Sequence, residues 1–236
     1  LPVVEVWWVL HPRRPTAALE SAGVALLGPF RWMAGELPTA SHQTDRGPHD
    51  PPELQPLLRV SSGITYGYWR DEPDSLRPVV VSVKPLPRAQ GPGVQIAIVA
   101  DNLLAAVAAH LDATPPSARL AEIQAALARA AVREILTLKA EGDKSEAVRE
   151  RKKRVVCPTS NKMGLVVPYD RVNDLGYRRL HLTGKELRKL LSRIVESAPA
   201  DRSLHQAELD DLINWANIAN DESDFGAGLQ LGHDLL

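Results

Sequence analysis

Asp221, Glu222 and Asp224 place three carboxylates within four positions of the run Asn220-Asp221-Glu222-Ser223-Asp224-Phe225-Gly226. Like charges this close repel, and each raises the cost of ionising its neighbours. The cluster joins an amphipathic helical pattern, Leu209 to Ile218, to a second pattern rich in glycine. It reads either as a solvated helix junction, since Asp and Ser are ordinary N-cap residues, or as a site. Calcium fits poorly. Asp221, Ser223 and Gly226 mimic positions 1, 3 and 6 of an EF-hand loop, but position 12 is Gly232, where a bidentate Glu is needed. The other group of interest is Tyr177-Arg178. A guanidinium fork suits a carboxylate held in fixed geometry. If the two loops meet, Arg178 orients Glu222 and Tyr177 walls the site. A carboxylate beside a guanidinium is a weak base in water. It becomes useful when a hydroxyl is delivered to it in a closed, desolvated site. Glu–Arg pairs are more often structural, so the chemistry alone leaves both readings open.

Other signatures are missing. There is no phosphate-cradling glycine loop ending in Lys-Ser or Lys-Thr and no nucleophile elbow, and the seven histidines do not pair at metal-ligand spacing. The single cysteine, Cys157, rules out an intramolecular disulfide and a multi-cysteine zinc site, and suits a reducing compartment. Standing before Pro158 with no assigned cationic partner, it reads as an inert thiol. Trp7, Trp8, Trp32, Trp69 and Trp215 read as core anchors. A stand-alone hydrolase using Glu222 with Asp221 or Asp224 ranks last. Adjacent carboxylates point apart on a regular backbone, whereas glycosidase pairs face each other about 5 to 9.5 Å apart.

The elements that must carry these groups divide the chain. Short apolar runs, Leu54 to Val60, Thr65 to Arg70, Val79 to Lys84 and Val94 to Val99, are joined by turns without intervening helices, which implies an antiparallel sheet. Residues 2–9 read equally as helix or strand. Pro15-Thr16 opens a short helix with Thr16 as cap and Gly23 as stop, and Thr39 to Pro52 reads as a loop. Asp101 is the expected cap of a helix over Leu103 to Leu111. Pro115-Pro116 then breaks the pattern. Leu120, Ile123, Leu127, Ala131, Ile135 and Leu138 mark a long amphipathic helix. A short strand is expected at Leu165 to Val167, then helices over Lys185 to Ser197, Gln206 to Asn217 and Gly226 to Leu236. Thr183 and Glu186 form a candidate capping box before the first of these. The fold class is α+β, with an N-terminal antiparallel sheet and flanking helices over 1–112 and a mainly helical part over 113–236.

Composition narrows the partners. The 236 residues are 44% apolar and 24% charged, with a formal net charge of −1, which argues against nucleic-acid binding through bulk charge. No charge-free run approaches the ~18 residues of a membrane span. Charge is nonetheless polarised. Beyond Val195 the acidic residues Glu196, Asp201, Glu208, Asp210, Asp211, Asp221, Glu222, Asp224 and Asp234 face a single basic one, Arg202. Such an end steers toward a basic partner. The run Arg149 to Arg154 reads as an import signal, a phosphate contact or a solvated turn at a domain joint.

The wording of five blocks adds a family. Asn220 to Gly226 continues into Gly228-Leu229 and Leu231-Gly232. Gly164-Leu165-Val166-Val167-Pro168 precedes Asp174-Leu175-Gly176-Tyr177-Arg178. Upstream stand Asp50-Pro51-Pro52-Glu53 with Gly67-Tyr68-Trp69-Arg70-Asp71, then Asp101 to Val107, and more weakly Leu27-Gly28-Pro29-Phe30. Together, in the order in which they run along the chain, they resemble the histone PARylation factor family over most of the chain. The family continues past the position of Leu236, and the chain starts at Leu1, so it reads as a fragment. The resemblance implies an accessory factor that docks on the catalytic domain of a DNA-damage poly(ADP-ribose) polymerase. That polymerase holds NAD; the factor itself binds no cofactor or metal. The family's glutamate base falls on Glu222, its preceding partner-contacting aspartate on Asp221, and its Tyr-Arg pair on Tyr177 and Arg178. The arginine there orients the glutamate and meets the polymerase's C-terminal end. Ser223 replaces the usual cysteine and Phe225 the usual tyrosine. The implied outcome is ADP-ribose transfer to serine on histones, in the nucleus at damaged chromatin, by a chain that is monomeric when free and makes no sequence-specific nucleic-acid or membrane contact. The alternative is a non-catalytic scaffold whose acidic tip binds a basic partner such as a histone tail.

Overall fold

The computed structural model describes residues 7, 13–37, 44–74, 78–86, 94–134 and 136–236. Most of Val3 to Val9, the residues Trp8 and Ile135, and the first part of the loop from Thr39 lie outside them. The chain forms two compact units, Leu1–Glu150 and Arg151–Leu236.

Among the described residues, the first complete element of the first unit is a 3-10 helix, Pro15–Ala22. Its N-cap position is Arg14, not Thr16, because Pro15 lacks an N–H and has the φ that suits the first helical position. Gly23 ends it at φ 69°, in the left-handed region. Then follow β1 (Val24–Leu26), α1 (Pro29–Met33), β2 (Leu54–Val60), β3 (Thr65–Trp69), β4 (Val79–Pro85), β5 (Val94–Ala100), α2 (Leu103–Asp112) and α3 (Ala118–Arg133), and α4 (Glu146–Arg154) crosses the division between the units, its residues from Arg151 onward belonging to the second. The four expected strands are present to within a residue at each end. They form one antiparallel meander in the order β1-β2-β3-β4-β5. The strand β1 carries only three residues, too few to show alternation in sequence. It is held by pairing Val24 with Val60 and Leu26 with Leu58.

The helices α2 and α3 close this sheet. Leu104, Val107 and Leu111 of α2 and Leu120, Ile123 and Leu127 of α3 share one core with Leu58, Val60, Val80 and Ala100. That shared core carries the first unit past the division expected at 112/113, which left α3 with the C-terminal part. The cap of α2 is Asn102 rather than Asp101: its side chain accepts the Ala105 N–H at 2.9 Å, while Asp101 accepts from the Asn102 amide. Trp7 packs edge-on against Phe30, and Trp69 is buried with its indole N–H on Asp71. Trp32 does not fit the core expectation; on the short helix α1 it is 47% exposed. The basic run belongs to helix α4, not to a solvated turn. Its Arg151 is buried and donates to the carbonyls of Met163 (2.6 Å) and Gly164 (3.1 Å).

In the second unit the strand expected at Leu165 to Val167 shrinks to a single bridge between Cys157 and Leu165. Three helices follow, α5 (Gly184–Glu196), α6 (Arg202–Asp221) and α7 (Phe225–Leu235). Thr183 and Glu186 form the capping box in full, and the Thr183 bonds hold the Glu186 carboxyl below its usual range. Leu187 and Leu190 of α5, Leu212, Ala216 and Ala219 of α6, and Ala227 and Leu231 of α7 form the core, with Trp215 packed at its margin. Among the described residues no helix is long and apolar enough to cross a membrane. The molecule is α+β, as its sequence implies.

Truncating Ile123 to alanine removes a fully buried side chain from the core shared by α3 and the sheet. We expect the unfolding free energy measured in urea to fall by about 2–5 kcal/mol. An unchanged midpoint would mean that α3 does not share that core.

Candidate functional site

Tyr177 and Arg178 follow a tight reversal. The Asp170 N–H donates to the Leu175 carbonyl at 2.9 Å, and the Leu175 N–H returns to Asp170 at 3.1 Å. Inside it, the Asp170 carboxylate accepts from the side chain of Asn173 and from the backbone N–H groups of Val172 and Asn173, which hold its pKa below the usual range. Tyr169 donates to Asp174. The loop then turns through Gly176 at φ 107°. A Cβ there would overlap the Pro168 carbonyl oxygen, so only glycine permits this path.

The carboxylate cluster lies where α6 ends. The Ser223 N–H bonds to the Asn220 carbonyl (3.0 Å) and the Asp224 N–H to the Ala219 carbonyl (2.8 Å), with Ser223 at φ 73°. This is a Schellman ending, with serine in the left-handed position that glycine usually takes. Asp224 stands at the N-cap position of α7, yet its side chain caps none of that helix's amides. One of its oxygens instead accepts the Gly176 N–H at 2.9 Å. The Gly176 carbonyl in turn accepts the Gly226 N–H at 3.0 Å. Both backbone groups of Gly176 are therefore tied to the α6–α7 junction. The approach is close: a Cβ on Gly226 would lie 2.9 Å from the Tyr177 ring and 3.0 Å from the Gly176 oxygen.

On this platform Arg178 sits between two carboxylates. Its Nη1 lies 2.5 Å from Glu222 Oε2, and its Nη2 lies 2.9 Å from Asp224 Oδ2. The bond to Glu222 raises the guanidinium above its ordinary pKa. The side chains of Arg178 and Glu222 are 40% and 55% exposed, whereas that of Asp224 is 5% exposed. The two loops thus meet and Arg178 reaches Glu222, as the sequence leads one to expect. Asp221, the last residue of α6, is exposed and is not an ion-pair partner of Arg178. Tyr177 lies half-buried, its hydroxyl donating to Gln230 Oε1 at 2.9 Å and its ring meeting Tyr169 edge-on. Burial, and then its bond with Cys157, raise the phenol above its ordinary range. Cys157 is buried, and burial raises its thiol too. Among the described residues no group of three or more His, Cys, Asp or Glu side chains is arranged to hold a metal ion.

Sequence reading missed three contributors: Asp224 as the second anchor of Arg178, Gly226 as the point of closest approach, and Gln230 as the partner of the Tyr177 hydroxyl. Gln230 had left a signal. It is the one amide side chain in the otherwise apolar stretch Phe225 to Leu231, and a buried amide needs a partner. A cavity of about 770 Å³ in this unit is lined by α5 and by Glu208 of α6 and includes none of Tyr177, Arg178, Asp221 or Glu222. The Arg178–Glu222 pair, at 40% and 55% side-chain exposure, lies on a half-exposed surface.

Residues 4–236 match the family described as Histone PARylation factor 1. The protein named Histone PARylation factor 1 from Bos taurus is 34% identical over 244 aligned residues, covering 96% of this chain and 68% of that protein. The Mus musculus protein of the same name is 32% identical with the same coverages, and the Danio rerio one is 32% identical over 94% of this chain and 66% of its own length.

Replacing Gly176 by alanine should break the tie between loop and junction, because the new methyl meets backbone that cannot yield. Strain at such a φ costs roughly 1–3 kcal/mol before the overlap is counted. The expected outcome is faster amide hydrogen exchange at Gly226 and a lower unfolding midpoint. Unchanged exchange at Gly226 would contradict the tie.

Proposed function

We propose, since the chain belongs to the Histone PARylation factor 1 family, that it acts by docking on the catalytic domain of a poly(ADP-ribose) polymerase and completing a joint active site. The polymerase binds NAD. This chain lends Glu222 as general base, so that ADP-ribose passes to serine on histones and other proteins in the DNA-damage response. The carrying observation is the half-exposed Glu222 carboxylate fixed at 2.5 Å by Arg178. It is positioned, yet open to an incoming hydroxyl.

The chemistry asks for such a group. Serine is a poor nucleophile near neutrality and needs a base placed to take its proton. In the proposed step the serine Oγ–H gives its proton to Glu222 while Oγ forms a bond to the anomeric carbon of the ribose. The bond from that carbon to the nicotinamide nitrogen breaks, and nicotinamide leaves with its electron pair. A partner that covers Glu222 removes water and strengthens its interaction with the hydroxyl. Asp221, exposed beside it, is assigned to partner contact, and Tyr177 to shaping the loop that carries Arg178. The histone substrate and the polymerase place the protein in the nucleus, at chromatin.

Two substitutions test this reading. Glu222→Gln keeps size and a hydrogen-bond acceptor but cannot take up a proton. Serine ADP-ribosylation of a histone peptide by polymerase, NAD and this chain should fall by ~10² to 10⁴, with polymerase affinity nearly kept. A fall in rate that only tracks affinity would favour the scaffold reading, and no fall would remove Glu222 as the base. Arg178→Ala should weaken docking as well as chemistry. Truncating one half of an interfacial charge pair typically costs ~2 to 5 kcal/mol, read by calorimetry with an NAD analogue present. Unchanged binding would confine Arg178 to orienting Glu222.

A further inference from the structure

We infer that Asp224 is a positioning residue: it fixes the Arg178 guanidinium, and through it the Glu222 carboxylate, before any partner binds. The inference rests on the reading of Glu222 as base, and it adds what holds that base in place. Three observations carry it. Asp224 occupies a helix N-cap position but gives α7 no side-chain cap, so its carboxylate is committed elsewhere. Its two oxygens go to two groups of one loop, the Gly176 N–H at 2.9 Å and Arg178 Nη2 at 2.9 Å, so a single carboxylate fixes both the path of the loop and the arginine that leaves it. It is also almost fully buried, while Arg178 and Glu222 lie progressively nearer solvent. A long arginine held only by the half-exposed Glu222 would keep much of its rotamer freedom. A second contact on the other end of the planar fork fixes the plane of the guanidinium. The same geometry excludes Asp224 as a base, since both its oxygens are engaged and buried.

Asp224→Asn separates the two roles. The amide oxygen can still accept the Gly176 N–H, but the amide nitrogen then faces Arg178, donor against donor. In the free chain, nitrogen-15 NMR should show resolved, slowly exchanging Arg178 Nη–H signals, identified by their loss in Arg178→Lys. Asp224→Asn should collapse them. With polymerase, NAD and a histone peptide, serine transfer should fall by on the order of 10²-fold, as for a misplaced reacting group. In the Arg178→Lys background, Asp224→Asn should cost less than about twofold more, because the two residues act as one unit. Unchanged Arg178 signals, or an equal loss in both backgrounds, would overturn the inference and leave Asp224 a structural residue. If Asp224→Asn does not fold, Asp224→Ser serves, since its hydroxyl can accept the Gly176 N–H without charge. The base reading fails separately: it falls if Glu222→Gln keeps serine transfer, and the NMR arm still decides the clamp.

Discussion

A carboxylate withdrawn from water must be given partners, and in the second unit that need falls on Asp224. Charge buried without compensation is costly enough to unfold a small unit or force the group to neutralise. Asp224 is supplied by a backbone N–H and a guanidinium from the same loop. Neither can reach it unless the loop comes within hydrogen-bonding distance of the α6–α7 junction. That approach in turn requires glycine at both contact points. Gly176 adopts a φ closed to other residues, and Gly226 leaves room for the Tyr177 ring. Ser223 bears the strained left-handed turn that ends α6 and brings Asp224 into place. The loop, the junction and the surface pair are consequences of satisfying one buried charge.

The helices behind the junction make it stiff. Ala219 and Ala227 flank the acidic run, and both are fully buried in the α5–α6–α7 core. Small side chains there let the turn lie close against its support, and close-packed interiors resist displacement. The capping box holds the start of α5, which packs into the same core. On the proposed reading, a base carried on such an element can be presented on the surface without becoming loose, which a flexible acidic tail could not achieve.

Legibility in the sequence followed the range of the interaction. The four longer strands and the capping box were readable because alternation and local hydrogen bonding are written within a few residues. The sequence pointed to Asp101 as the cap of α2 where Asn102 takes that place, because both types cap well and backbone geometry chooses between them. The strand β1 was invisible, since three residues carry no period and only pairing with β2 makes them a strand. The reach of α3 into the sheet core was hidden because an amphipathic helix does not announce which apolar face it covers. At the site, residue types made Arg178 and Glu222 plausible partners, and the structure brings them together. The role of Asp224 could not be read, since its local sequence describes an ordinary N-cap while its actual partners lie 46 to 48 positions away.

That discrepancy bears on how a borrowed base can be built at all. A carboxylate buried deeply enough to be rigid would be hidden from a substrate held by another protein. One exposed enough to meet that substrate would be mobile and well solvated. If Glu222 is the base, as proposed, the chain meets both demands with three residues: Asp224 inside, Arg178 at the boundary, Glu222 outside. Rigidity is passed outward through charge-assisted hydrogen bonds, which are directional and strong enough to hold geometry at partial exposure. The Glu222 side chain is 55% exposed, so on the proposed reading its desolvation comes from the partner's surface. A half-exposed, well-oriented pair is what the proposed joint site would ask of the member that brings the base.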